Sequence, residues 1–120
     1  MKQTTPFSLT ITRGPGEVVL TLAGEIDTLT GPRFDEAAEV IGGGRGVTIV
    51  FDMSRVTFMD STGLSVIAGT LRRLEPVGGR LCIRGASPMI RRLLEITGIT
   101  QSEMFEVAPA VTDLPAAVNR

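Results

Sequence analysis

The chain reads as an α/β domain built on a small, mostly parallel β-sheet, and three observations predict it. Two short runs near the N-terminus, FSLTITR and VVLTLAG, face each other across a GPG turn. Further on, apolar runs of strand length alternate with segments whose apolar residues recur every three or four positions. One of those runs, VTIVFDM, is almost continuously apolar, as a central strand covered on both faces would be. Strands alternating with helices imply parallel pairing through crossover helices, and the opening hairpin makes the sheet mixed.

The elements follow in order. Phe7–Arg13 alternates apolar and polar residues, the period of a half-buried strand, and Val18–Gly24 is its hairpin partner. In GPRFDEAAEVIGGG, Phe34, Ala37, Ala38 and Ile41 share one helical face. Pro32 suits the first helical position, Thr30 or Gly31 the cap, and Gly42 the end. Val47–Met53 is the third strand, SRVTF a short connection, and a second helix begins near Ser61. Leu64, Ile67, Ala68, Leu71 and Leu74 form that helix's expected buried stripe. Arg80–Arg84 is a fourth strand. Ser87 is a good N-cap and Pro88 a good first residue for a third helix carrying Ile90, Leu93, Leu94 and Ile96, with Gly98 as its stop. Phe105–Val107 suits a short edge strand and Thr112–Asn119 a last short helix. The predicted order is β-β-α-β-α-β-α-β-α, one domain over residues 1–120 with its core at about 7–118.

Composition narrows the function. At 120 residues, 42% hydrophobic and 21% charged, the chain can bury one core. Twelve basic against thirteen acidic residues give a net charge of −1, so nothing electrostatic calls for nucleic acid or an anionic membrane. The single cysteine, Cys82, sits in the apolar run LCI and reads as a buried structural thiol. MKQTTPFSLT lacks the apolar core of a secretory signal, and no apolar stretch has the length of a membrane span, so the cytoplasm is the expected location. GGGRG at 42–46 lacks the Lys-Ser/Thr of a phosphate-binding loop and reads as a helix-to-strand connection.

The stretch TFMDSTGLSV, residues 57–66, is where chemistry concentrates. Asp60, Ser61 and Thr62 stand together at the start of a helix. A serine nucleophile needs a base, usually histidine, and the chain has none. The hydrolase elbow Gly-x-Ser-x-Gly is absent, since the residues read Met59-Asp60-Ser61-Thr62-Gly63. Asp27, Asp52 and Asp60 show no metal-ligand spacing, and no cofactor is expected. Asp, Ser and Thr all make good N-caps, but a plain cap needs only one of them. Gly63 in the first turn, a poor helix former, leaves the adjacent hydroxyls open to a close approach. A phosphorylation site fits better: a phosphoserine carries about −1.5 to −2 charges, and a helix N-terminus accommodates an anion. Beside Asp60, that charge would confront a partner docked on this helix with like-charge repulsion and a desolvation cost.

These residues resemble the STAS domain family of anti-sigma factor antagonists. GEID at 24–27 resembles the family's segment at the end of the second strand. FDMSRVTFMDSTGLSVI at 51–67 resembles its signature strand, loop and helix start, and GGRLCIRGASPMIRRLLEITGI at 78–99 its later block. The resemblance implies a small mixed sheet with helices packed on one side. It implies partner switching: the unphosphorylated form binds an anti-sigma factor that is also a serine/threonine kinase and so frees the sigma factor. The kinase then phosphorylates the hydroxyl after the signature Asp, here Ser61, with Thr62 ranked second, and a PP2C-type phosphatase restores it. Asp27, Met59, Asp60, Ser61, Thr62, Gly63 and Ser65 map to the partner surface, with Arg33, Arg55 and Arg72 as further candidate anchors. Monomer is the default oligomeric state. The alternative is a stand-alone STAS module of a transporter or sensor complex, in which Ser61 would be only a cap.

Overall fold

The computed structural model describes residues 5–111. Strands β1 (Ser8–Gly14) and β2 (Glu17–Ile26) form the expected hairpin. They are followed by α1 (Gly31–Ile41), β3 (Thr48–Met59), α2 (Ser61–Leu74), β4 (Arg80–Arg84), α3 (Pro88–Thr97) and β5 (Phe105–Ala108). The five strands lie in the order β1-β2-β3-β4-β5, antiparallel between β1 and β2 and parallel thereafter. Each helix is therefore the crossover between neighbouring parallel strands, as the alternation predicts. The helix expected over Thr112–Asn119 lies outside the described residues.

The core lies between the helices and one face of the sheet. Val18, Leu20, Leu22 and Ile26 of β2 share it with Ile49, Phe51 and Met53 of β3 and Leu81 and Ile83 of β4. Alternation along each strand sends these residues to one face. Phe34 of α1 meets Phe51 edge-on, with ring centroids 5.0 Å apart. The stripe read for α1 holds in full, with Phe34, Ala37, Ala38 and Ile41 all buried. In α2, Ile67, Leu71 and Leu74 are buried as expected, joined by Gly63, Val66 and Thr70, while Leu64 and Ala68 are only half-buried. Arg73 ties α2 to α1 by donating to the Ala38 carbonyl at 2.7 Å.

The third strand is covered on both faces over Ile49–Phe51, as expected: Ile49 and Phe51 face the core under the helices, and Val50, flanked by Val19 and Cys82 on the adjoining strands, is 3% exposed on the other face. One expectation needs correction. The SRVTF segment is not a connection: β3 continues through it to Met59, paired with β2 across two register shifts. Those irregularities let Ser54, Arg55, Thr57 and Phe58 face solvent while Val56 and Met59 stay buried. Gly24 lies beside the second shift at φ 88°, and a Cβ there would come within 2.8 Å of the Phe7 Cα. Only glycine fits that position, which accounts for the first residue of GEID.

Candidate functional site

The site forms where β2 and β3 end together. Ile26 pairs with Met59, and the Asp60 N–H donates to the Ile26 carbonyl at 3.1 Å. The chain leaves β3 at Asp60, which has an extended backbone, and turns directly into α2. The Asp60 carboxylate accepts from the Thr62 N–H at 2.8 Å, and its carbonyl accepts from the Gly63 N–H. Asp60 is therefore the N-cap, and Ser61 is the first residue of the helix.

With the cap made by Asp60, Ser61 is exposed and not needed to close the helix. Thr62 is half-buried, and its methyl group occupies the space beside Gly31 where any larger residue would collide. Ser65, one turn after Ser61, is exposed on the same side of the helix. Thr28, Gly31, Asp35, Thr62 and Ser65 help line a cleft of about 410 Å³ between the starts of α1 and α2.

Asp27 organises the opposite lip. Its carboxylate accepts from the N–H groups of Leu29 and Thr30, at 3.0 and 3.2 Å. The Thr30 hydroxyl accepts from the Asp27 N–H and donates to the Glu25 carbonyl. The last residue of GEID thus holds the loop from β2 to α1 in shape, with its hydrogen-bonding capacity turned inward.

Two of the residues mapped to the partner surface lie beneath it. Met59 is 2% exposed and belongs to the core. Gly63 is buried, and a Cβ on it would collide with the Met59 side chain and lie 3.1 Å from Ile26 Cγ2. The glycine serves close packing of α2 onto β2 and β3, not access to the hydroxyls. Of the arginines, Arg55 and Arg72 are exposed, and Arg33 stacks its guanidinium 4.9 Å from the centre of the Phe7 ring.

The structure adds two residues that the sequence reading passed over. Leu29 is 85% exposed in the Asp27–Thr30 loop, and Phe58 is 40% exposed two residues before the cap. An apolar residue inside the polar run DTLTGP was the available signal for Leu29. Phe58 carried none, because SRVTF reads only as a short connection.

A five-stranded mixed sheet with its helices on one face, and a capped helix presenting a serine at the end of the central strand, define a small α/β module of one class. Residues 8–114 match the STAS domain model, and the chain belongs to that family. It is 37% identical over 95 residues to the anti-sigma-B factor antagonist of Listeria monocytogenes, covering 79% of this chain and 82% of that protein. An anti-sigma factor antagonist from Mycobacterium paratuberculosis superposes with a TM-score of 0.71 at 26% identity, covering 96% of both chains. The Bacillus cell fate determinant SpoIIAA in its phosphorylated form superposes with a TM-score of 0.64 at 28% identity, over 86% of this chain and 91% of that one.

Proposed function

We propose that this chain is an anti-sigma factor antagonist, a cytoplasmic binding module and not an enzyme, switched by phosphorylation of Ser61. The unphosphorylated form binds an anti-sigma factor with serine/threonine kinase activity and releases the sigma factor. Phosphorylation by that kinase ends binding, and a PP2C-type phosphatase restores it.

The observation that carries this reading is the division of labour between Asp60 and Ser61. Asp60 closes the helix, so the neighbouring hydroxyl stands free at an exposed helix start. A phosphate on Ser61 would stand at the N-terminal end of α2, where the helix dipole favours an anion, so the fold tolerates the modification. The same phosphate would stand beside the Asp60 carboxylate. A partner seated over the helix start would then meet like-charge repulsion and a desolvation cost of several kcal/mol. Each 1.4 kcal/mol is about tenfold in affinity, so one phosphate suffices to release the complex. Thr62 is the poorer acceptor because its side chain is packed against Gly31. Exposed Leu29 and Phe58 beside the helix start give a docked partner apolar surface to cover.

The test is phosphoryl transfer from ATP by the cognate anti-sigma kinase. Wild type and Thr62→Val should incorporate phosphate, and Ser61→Ala should not while still binding the kinase. Undiminished phosphorylation of Ser61→Ala, or loss of its binding despite a native fold, would overturn the reading.

A further inference from the structure

The two edges of the sheet are built differently. The β5 edge is four residues long, carries Glu106 paired with Arg80 at 3.7 Å, and is followed at once by Pro109. Short length, charge and proline are the usual devices that stop an edge from recruiting another strand. The β1 edge has none of them until Arg13, near the end of its pairing stretch. It is seven residues long, pairs with β2 without a single register shift, and has no charge or proline from Ser8 to Thr12. Among the described residues its outer side has no neighbouring strand.

The sequence of that edge is also nearly symmetric. Ser8-Leu9-Thr10-Ile11-Thr12 reads almost the same in both directions about Thr10. Leu9 and Ile11 point towards the core and are half-buried, while Ser8, Thr10 and Thr12 are exposed. Beside them runs a groove of about 270 Å³ lined by Leu9, Ile11, Arg33, Glu36, Ala37 and Val40, with Val40 66% exposed.

We propose that β1 is a self-association edge, where a second copy of this chain pairs antiparallel about Thr10 to join two sheets into one of ten strands. Residues on an antiparallel pair meet directly opposite one another. The two-fold arrangement sets Thr10 against Thr10 of the second copy and Ser8 against its Thr12, hydroxyl against hydroxyl. Leu9 falls against the second copy's Ile11, so each exposed half of an apolar side chain gains an apolar neighbour. At the ends Arg13 falls opposite Phe7, cation against aromatic ring, and not opposite another cation. A one-residue slip of this pairing would turn Leu9 and Ile11 against the threonines' face, so the alternation along the strand disfavours it.

Register-specific cross-linking tests this together with mass in solution. Under mild oxidation Thr10→Cys should form a disulfide dimer with itself, since directly opposite Cα atoms about 4.5–5.5 Å apart lie within bridging range. Ser8→Cys or Thr12→Cys alone should not link, because like positions are then roughly 13 Å apart, but a mixture of the two should link to each other. In sedimentation or light scattering the wild type should become dimeric at millimolar concentration. Thr10→Lys, an exposed position, should stay folded and weaken association by at least about tenfold. A wild type monomeric at every concentration would overturn the proposal. So would a dimer that persists in Thr10→Lys, or cysteine linking that shows no preference for position 10, since either places the contact elsewhere.

Discussion

Gly63→Ala probes how the site is held in place. The substitution adds one methyl group in the first turn of α2. That methyl would lie 2.5 Å from the Met59 sulfur and 3.1 Å from Ile26 Cγ2, and both neighbours are buried. Two effects oppose each other. Replacing glycine by alanine inside a helix is worth up to about 1 kcal/mol in favour of the variant. Inserting a methyl group into a packed core costs about 1–3 kcal/mol. Met59 is 2% exposed and packed in the core, so it must shift against buried neighbours to admit the methyl group; the cost wins, and a net destabilisation of about 1–2 kcal/mol follows. For a chain of this size that is a fall in Tm of roughly 4–8 °C. Urea unfolding of a double-mutant cycle with Met59→Ala isolates the collision. Met59→Ala alone should cost about 2–4 kcal/mol. In the double variant the new methyl enters the space Met59 leaves, so the two costs should fall short of their sum by about 1 kcal/mol or more. A stabilised Gly63→Ala, or strictly additive costs, would refute the packing explanation for this glycine.

Three further outcomes follow from the same geometry. Asp60→Ala removes the N-cap of α2 and should cost about 1 kcal/mol in urea unfolding, with Asp60→Asn retaining most of it. Burial pushes the Asp52 carboxyl up, but hydrogen bonds from the Ser54 N–H and hydroxyl and from Arg84 outweigh it and leave it below its ordinary 3.8. A folded value below the unfolded one gives stability that is complete at neutral pH and is lost as pH falls below about 3.8 through the folded value; the stability gap between wild type and Asp52→Asn should therefore close in that acid range, and a gap unchanged there would contradict it. Burial, reinforced by Glu106, pushes the Cys82 thiol up to about 11, so at pH 8 a thiol reagent should label it only as fast as the protein opens, with labelling accelerating in denaturant.

Local signals in the sequence reached most of the architecture. The α1 stripe, the Ser87-Pro88 start and Gly98 end of α3, and the β4 run RLCIR all stand where periodicity and cap chemistry put them. What local signals could not carry was pairing. The extension of β3 to Met59 depends on β2 running alongside it through two register shifts, and no residue in SRVTF announces that. The same limit shaped the reading of the site. Asp60, Ser61 and Thr62 were legible as a capped helix start, but which of them caps was not. Gly63 looked like an opening to solvent because a glycine in a helix start has no local explanation. Its reason is Met59, four positions earlier, folded beneath it. Leu29 and Phe58 became visible only once the structure left them uncovered at the end of the sheet.

The central claim concerns one hydroxyl, and the affinity of the anti-sigma factor for two forms of the same protein tests it most directly. The chain phosphorylated by its kinase, with the phosphate mapped by mass spectrometry, is titrated against the anti-sigma factor beside the unmodified chain. The account predicts a single phosphate on Ser61 and binding at least about tenfold weaker than that of the unmodified chain. Equal affinity of the two forms, or a phosphate mapped to another residue, would contradict it.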